Sequence, residues 1–165
     1  MLNETQIYIA LKEYLSHNNW QVLGGEPPGG TDRLPVIELR DPNNSEKGSR
    51  GSKKVDLICF KESYFLLIEL KERYSFSDVS KLNAITSKQE WREAFLKALE
   101  DKKVLPQEVS ADRNLYTKDS SYLIKAVGYN EHQPFGPEDF VTFLVGNSVN
   151  YNLGKEVPYT VKKLF

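Results

Sequence analysis

The chain contains 165 residues, of which 39% are hydrophobic and 27% charged, and its formal net charge is −1. This length and balance are typical of one soluble globular domain, and we expect a single domain over residues 1–165. The charge excludes a protein that coats nucleic acid by bulk electrostatics, so any phosphate contact must come from local patches. No apolar run approaches the ~20 residues of a transmembrane helix, and no basic segment precedes an apolar stretch at the amino terminus. We therefore expect a cytoplasmic protein without membrane contact.

The first forty residues predict a helix followed by two strands. Apolar residues recur at helical spacing over residues 3–17, and Asn3 with Gln6 resembles a helix-start signal. Residues 20–23 and 33–40 indicate strands on either side of a loop rich in glycine and proline.

A polar loop and a β-hairpin follow. Residues 41–54 are polar, rich in glycine and serine and basic toward their end, which predicts an exposed loop. The apolar runs at 55–60 and Tyr64–Leu70 are separated by a short polar link, and this spacing predicts a hairpin. The single cysteine, Cys59, cannot form an intramolecular disulfide, and we interpret it as part of the core.

The second half of the chain predicts one long helix or a broken pair, followed by strands. Residues 77–103 approximate an apolar stripe at helical spacing. After a loop that contains Pro106, residues 122–129 and 139–146 are strand candidates, and the tail at 157–165 is a candidate for another. This order of elements predicts an α/β or α+β fold with a mixed sheet and helices around it.

Charged residues interrupt the apolar hairpin at three places, Asp56, Glu69 and Lys71. Runs that are apolar on both faces predict a sheet covered on both sides, where an unpaired carboxylate is costly or takes up a proton. If the hairpin turns symmetrically around Glu62 and Ser63, Asp56 lies opposite Glu69 and shares its face. Because side chains alternate along a strand, Lys71 lies on that face too.

These three residues have the chemistry of a divalent-metal phosphodiesterase site. Opposed carboxylates repel each other, whereas a hard cation such as Mg²⁺ prefers such oxygen ligands. A metal polarises a phosphate oxygen and lowers the pKa of bound water, and a lysine can orient or deprotonate that water. The alternative interpretation is that Glu69 and Lys71 are charges at an exposed strand end and that Asp56 belongs to the turn before the hairpin.

The segment VDLICFKESYFLLIELKER resembles the core motif of the PD-(D/E)XK nuclease superfamily, in which an Asp begins one strand and Glu-x-Lys closes the next. The thirteen-residue step from Asp56 to Glu69 is similar to that of archaeal Holliday junction resolvases, relatives of many type II restriction endonucleases. Val55 replaces the Pro of the motif, at a position that is commonly relaxed. The resemblance covers about the first ninety residues and implies a restriction endonuclease-like fold, with a central mixed β-sheet flanked by helices. It also implies that Asp56 and Glu69 bind Mg²⁺, or Mn²⁺ as a substitute, and that Lys71 assists the attacking water.

Two further residues are suggested by the same resemblance. Many members carry a Glu in the first helix that reaches the metal or its waters, which implies a catalytic and metal-binding role for Glu4, with Glu13 as a second candidate. Equally, Glu4 near a helix start can simply favour the macrodipole. Gln89 is similar to a glutamine that some relatives carry on the following helix, which makes it a candidate for nucleic-acid binding, but a solvated helix-face residue is the preferred interpretation.

Basic residues just before Asp56 are candidates for phosphate contacts. Arg50, Lys53 and Lys54 lie at the end of the polar loop, beside the predicted metal site. Ordinary solvating charges of an exposed loop are the alternative.

The sequence thus favours a Mg²⁺-dependent DNA endonuclease of the restriction type, and the resemblance implies a homodimer. The restriction type is preferred because resolvases tend to be shorter and more basic, while the region after Leu105 can supply recognition or dimer contacts. Alternatives are a structure-specific nuclease of Holliday junctions or repair, RNA as the substrate, and a non-catalytic nuclease-fold subunit that binds nucleic acid.

Overall fold

The computed structural model describes residues 1–27, 33–43 and 51–165, which form a mixed α/β structure. The helices are α1 (Glu4–His17), α2 (Phe76–Ser87), α3 (Gln89–Asp101), α4 (Gln107–Ala111), α5 (Arg113–Lys118) and α6 (Tyr159–Lys162). The strands are β1 (Gln21–Gly25), β2 (Glu38–Leu39), β3 (Lys53–Lys54), β4 (Leu57–Lys61), β5 (Tyr64–Leu70), β6 (Leu123–Asn130), β7 (Val141–Val145) and β8 (Val149–Leu153). None of the helices in these ranges is long and apolar enough to cross a membrane.

Six of the strands form one mixed sheet in the order β1-β4-β5-β6-β7-β8. The pairs β5–β6 and β6–β7 are parallel, and the other neighbours in this sheet are antiparallel. Strands β2 and β3 form a separate antiparallel pair. The parallel strands end at the same edge of the sheet, where β4 begins.

Helices cover both faces of the sheet, as the doubly apolar strands predict. Leu66 and Ile68 of β5 pack in a core with the buried side of α1. The alternating residues Phe65 and Leu67 pack in a second core with α2 and α3. Cys59 is buried in the α1 core, which confirms its interpretation as a structural residue.

Local signals place the first helix and the hairpin correctly. Asn3 and Gln6 form a reciprocal capping box at the start of α1, which confirms the predicted helix start. In the hairpin, Phe60 pairs with Phe65 as the symmetric turn requires. Glu62 and Ser63 both have positive φ angles, 47° and 76°, which is the conformation of a tight two-residue hairpin turn.

The stripe at 77–103 is a broken pair of helices rather than one helix. Lys88 has an extended backbone, with φ −113° and ψ 133°, and it separates α2 from α3. The strand predicted at 33–40 is reduced to the two residues of β2. Helices α4 and α5 follow Pro106 in a region for which the sequence indicated a loop.

The strand predicted for the tail at 157–165 is wrong, because this segment contains α6. Its buried residues are Val157, Val161 and Leu164. Their spacing of four and three residues places them on one side of a helical turn, whereas a strand would divide them between two faces. The edge strand β8 was not predicted, because its residues are mostly polar and partly exposed. Pairing with β7 creates this strand.

Candidate active site

Asp56 and Glu69 meet at the sheet edge where β4 begins and β5 ends. The pairing of Leu57 with Ile68 extends by one step to place Asp56 beside Glu69, which confirms the predicted register. The backbone N–H of Leu70 donates a 2.8 Å hydrogen bond to Asp56 Oδ2. The Asp56 carboxylate is therefore held in place by the neighbouring strand.

Glu69 is a buried carboxylate without adequate hydrogen bonding. Its exposure is 1%, and within the described parts of the chain its carboxyl group makes no hydrogen bond of ordinary geometry; its close partners are the Lys81 ammonium group and the Asp56 carboxyl group. Oε1 forms an ion pair with the Lys81 ammonium group of α2. Burial, together with the adjacent Asp56 carboxyl group, raises the pKa of Glu69 to about 10, and Lys81 opposes this only in part. A group of this kind needs either a proton or a cation.

Lys71 connects the end of β5 to the first turn of α1. Its backbone N–H donates to the Gly128 carbonyl at 3.1 Å, which continues the pairing of β5 with β6 by one residue. Its Nζ lies 3.7 Å from Glu4 Oε1. The structure thus brings Glu4, the helix residue suggested by the sequence, into contact with Lys71.

The surroundings raise the pKa values of both Lys71 and Glu4. Burial lowers the pKa of Lys71, but the carboxylates of Asp78, Glu4, Asp56 and Glu69 outweigh it and raise the pKa above the usual value. Burial raises the pKa of Glu4, with Asp56 and Asp78 adding to the effect and Lys71 opposing it. Lys71 is therefore an ammonium group at neutral pH, suited to holding a phosphate oxygen or a water rather than to removing a proton.

The sequence interpretation missed two charged residues on α2, Asp78 and Lys81. Asp78 is buried in the first turn, and its Oδ2 has no hydrogen-bond partner among the residues described. Burial raises its pKa, while Lys71 and Lys81 lower it. Lys81 Nζ also donates a 2.8 Å hydrogen bond to the Lys54 carbonyl. The available signal was their three-residue spacing beside the apolar stripe, which places both on one helix face.

Asn130 ties together the segments that carry Glu4 and Lys71. It is buried at the end of β6, and its side chain makes two hydrogen bonds with the backbone of Leu2, at 2.8 and 2.9 Å. A third bond, of 3.1 Å, goes to the Glu72 carbonyl. Asn130 therefore positions the start of α1 against the end of β5.

Two other candidates lie apart from this cluster. Glu13 is exposed on α1, about 13 Å further along the helix axis than Glu4 at 1.5 Å per residue. Gln89 is exposed at the start of α3, and its amide donates a 3.2 Å hydrogen bond to Glu93 of the same helix. The local environment of Gln89 is that of a solvated helix-face residue.

The basic residues before Asp56 are partly engaged in contacts within the protein. Lys53 Nζ lies 5.1 Å from the centre of the Trp91 ring, in a cation–π arrangement. Lys54 Nζ lies 3.6 Å from Glu26 Oε1. Arg50 falls outside the described residues. A phosphate contact by Lys53 or Lys54 would have to compete with these partners.

The residues at the sheet edge fit a hard divalent cation. In the described ranges, no three His, Cys, Asp or Glu side chains already form a metal cage. Asp56 and Glu69 are adjacent, and the Lys81 ammonium group offsets the charge of the buried Glu69 carboxyl group only in part. Mg²⁺ prefers oxygen ligands and commonly keeps several waters while binding one or two carboxylates. Two carboxylates with water and a substrate oxygen would suffice to hold it.

No known protein family is identified by comparison. Protein-family models, curated proteins and solved structures each yield no match to this chain. The likeness to the nuclease superfamily therefore rests on the hairpin motif, and the function must be inferred from the chemistry of the site.

Proposed function

We propose that the protein is a Mg²⁺-dependent nuclease that hydrolyses phosphodiester bonds in DNA with a metal-activated water. The observation that carries this proposal is Glu69, a buried carboxyl group beside Asp56 at a sheet edge, whose raised pKa means that the Lys81 ammonium group compensates its charge only in part. A purely structural sheet gains nothing from two carboxylates in this position. A six-stranded mixed sheet with helices on both faces is compatible with the restriction endonuclease-like fold that the motif suggests.

In this proposal, the protein residues divide the work between binding and orientation. Asp56 and Glu69 would hold the cation, and the cation would supply the charge to polarise a phosphate oxygen and to acidify a water. The hydrogen bond from Leu70 orients Asp56. Lys71, kept protonated by the surrounding carboxylates, holds a phosphate oxygen or the attacking water. Glu4 limits the freedom of the Lys71 ammonium group.

DNA as the substrate and a homodimer as the assembly remain proposals from the motif. The phosphodiester chemistry is the same for RNA, so the assay must offer both polymers. Sedimentation of the purified protein, alone and with DNA, measures whether two copies associate.

The proposal is tested by cleavage assays in millimolar Mg²⁺ with supercoiled, branched and single-stranded DNA, and with RNA. We expect Glu69→Gln, Asp56→Asn and Lys71→Ala each to lower the rate by about a hundredfold or more, equivalent to ~2.7 kcal/mol of barrier. The matched control is Glu100→Gln, since Glu100 is an exposed carboxylate that pairs with Arg113. It should cut at the wild-type rate.

Two results would contradict the proposal. A folded wild-type protein that cuts none of these polymers is not a nuclease and agrees with the binding-subunit alternative. Cleavage that survives Glu69→Gln, with circular dichroism confirming the fold of each variant, would assign the activity to another site or to a contaminant.

A further inference from the structure

An exposed aromatic segment borders the carboxylate cluster, by which we mean Asp56, Glu69 and Asp78 together with Lys71. We call the exposed residues Arg73, Tyr74 and Phe76 the aromatic lip. They follow the end of β5 and continue into the first turn of α2. The exposed fractions of Tyr74 and Phe76 are 44% and 73%. Isolated apolar residues are common on protein surfaces, but two aromatic rings and an arginine within four residues form a patch with a defined chemistry.

Chain connectivity keeps the aromatic lip close to the site. Arg73 follows Lys71 by two residues, and Phe76 precedes Asp78 by two residues. Because consecutive Cα atoms are about 3.8 Å apart, each lip residue is within roughly 12 Å of a backbone position in the cluster. These side chains are therefore close enough to the site to contact a polymer that is bound at Asp56 and Glu69.

The Tyr74 ring is held in place from one side. Its centroid lies 6.1 Å from that of Tyr129, and the two rings are tilted by 56°. Tyr129 is buried and lies within electrostatic reach of both Tyr74 and Asp78. This contact fixes one side of Tyr74 against the cluster and leaves part of the ring in solvent.

The chemistry of the lip suits unpaired nucleobases. Every base presents a flat π-face when it is unstacked, and aromatic side chains bind such faces with little regard to sequence. Arginine adds attraction to phosphates and can stack on bases. In a continuous duplex the base faces are stacked on one another, and only groove edges and backbone are accessible.

We propose that Arg73, Tyr74 and Phe76 form a stacking surface for unpaired bases, so that the site acts on nucleic acid with a single-stranded region rather than on continuous duplex. A single strand, a flap or an opened junction has this property. The inference rests on the proposed function, and within it favours the structure-specific alternative over the restriction type.

Binding measurements test this inference separately from cleavage. A fluorescently labelled DNA strand and the matching duplex are titrated with protein in Ca²⁺, under conditions where no cleavage is detected, and Kd is obtained from anisotropy. We expect tighter binding of the strand. Tyr74→Ala and Phe76→Ala should each raise Kd for the strand by about tenfold, within the ~1–3 kcal/mol that stacking of one base contributes, and leave Kd for the duplex nearly unchanged.

Matched variants separate stacking from general effects. Tyr159→Ala removes an aromatic ring that is 85% exposed and belongs to α6. The segment after α6 contacts the hairpin end of β4, where Lys61 Nζ donates to the Leu164 carbonyl, at the opposite end of that strand from Asp56. This control should bind as wild type does. Phe76→Leu keeps apolar bulk without a flat ring and should resemble Phe76→Ala, whereas Tyr74→Phe should retain binding.

Salt dependence adds a second readout. The effect of Phe76→Ala should persist as salt is raised because stacking involves no counterion release, whereas the effect of Arg73→Ala should shrink. Phe76 is mostly exposed, so its replacement leaves the core intact even if Tyr74→Ala perturbs the contact with Tyr129.

The inference is overturned if wild-type protein binds the duplex as tightly as the strand, or if Tyr74→Ala and Phe76→Ala leave strand binding unchanged. The second result is expected if the aromatic lip serves a protein partner. If these variants lose strand binding but the wild type cuts nothing, the stacking surface is supported and the nuclease function is contradicted. If the wild type cuts DNA but the variants bind the strand as tightly as it does, the nuclease function is supported and the stacking surface is contradicted.

Discussion

Glu69 is the residue on which the proposed cation site depends most. Its carboxyl group lies in the apolar interior, beside a second carboxyl group and one ammonium group. A glutamine would have nearly the same shape and no charge to bury. Replacement of this residue therefore separates stability from function, because the charge that is unfavourable in the metal-free protein is the one that a cation would use.

We predict that Glu69→Gln stabilises the metal-free protein at alkaline pH. The folded-state pKa of Glu69 is raised to about 10, well above the ~4.3 of an unfolded chain. Stability from this group is present in full below the unfolded pKa and is lost as the pH rises toward the folded pKa. The melting temperature of Glu69→Gln in chelator should thus exceed that of wild type by several degrees at about pH 8, and the gap should narrow near pH 5.

Thermal unfolding of both proteins across this pH range measures the effect. Glu100→Gln, at an exposed ion pair, should follow the wild-type pH profile closely. A Glu69→Gln difference that does not vary with pH would mean that Glu69 does not take up a proton on folding.

At the level of helices and strands, the geometry of the candidate site depends on how three segments of the chain pack together. The start of α1 and the segment after β5 both bond to Asn130 at the end of β6, which adds to the packing of α1 on β5. Helix α2 then brings Asp78 and Lys81 over the same sheet edge. The N-termini of α1 and α2 both lie here, and their positive dipole ends favour an anionic ligand such as a phosphate.

Asn130→Ala should therefore lower stability and, under the proposed function, the rate of cleavage. The substitution leaves the backbone groups of Leu2 and Glu72 without their partner, and we expect a loss of about 1–3 kcal/mol in the free energy of unfolding. Urea denaturation measures this loss, and cleavage below the midpoint of unfolding reports the displacement of Glu4 and Lys71. Asn150→Ala is the control, because Asn150 is exposed and its side chain makes a long 3.5 Å bond to Ser148. Equal effects of the two substitutions would refute the positioning role of Asn130.

The edge strand β8 can be tested through two glycines near its ends. A Cβ at Gly154 would lie 2.0 Å from the Glu138 carbonyl oxygen and 2.8 Å from that of Phe140, and neither backbone group can easily move. Gly154→Ala should lower the free energy of unfolding by about 1–3 kcal/mol, which is the usual effect of overpacking. The three atoms nearest to a Cβ at Gly146 all belong to the Glu131 side chain, whose flexible end can rotate away. Gly146→Ala should change the free energy of unfolding little, and equal costs at both positions would contradict the path of β8.

In the whole molecule, the candidate site lies where β4 begins and β5 ends, in a sheet whose two faces are covered by separate hydrophobic cores. A rigid sheet holds Asp56 and Glu69 together without a cation, so binding should add stability to a structure that already exists. Because the net charge is −1, the proposed attraction of a nucleic acid has to come from local groups such as those of the aromatic lip.

We predict that millimolar Mn²⁺ or Mg²⁺ raises the melting temperature of wild type. Binding at a concentration one hundred times Kd adds ~2.7 kcal/mol, which corresponds to several degrees for a chain of this size. Asp56→Asn and Glu69→Gln should abolish the increase, and Glu100→Gln should retain it. Differential scanning calorimetry measures each case. A wild-type increase that persists unchanged in Asp56→Asn would place the bound metal elsewhere.

The central pairing of the site was predictable because it depends on neighbouring residues. The turn at Glu62 and Ser63 sets the register of the hairpin, and this register carries Asp56 to Glu69. The capping box likewise sets the start of α1 through side chains three residues apart. The apolar runs of β4 and β5 indicated a sheet buried on both faces.

The other residues of the candidate site, and the elements β8 and α6, depend on long-range packing that the sequence did not reveal. Asp78, Lys81 and Asn130 join the site from elements whose positions depend on helix packing and parallel strand pairing, for which the local sequence carries no register. Strand β8 forms by pairing with β7, and α6 is recognised from the one face that it buries. Interactions over three or four residues are encoded in adjacent side chains, whereas the approach of distant segments is set by how all the apolar surfaces are buried together.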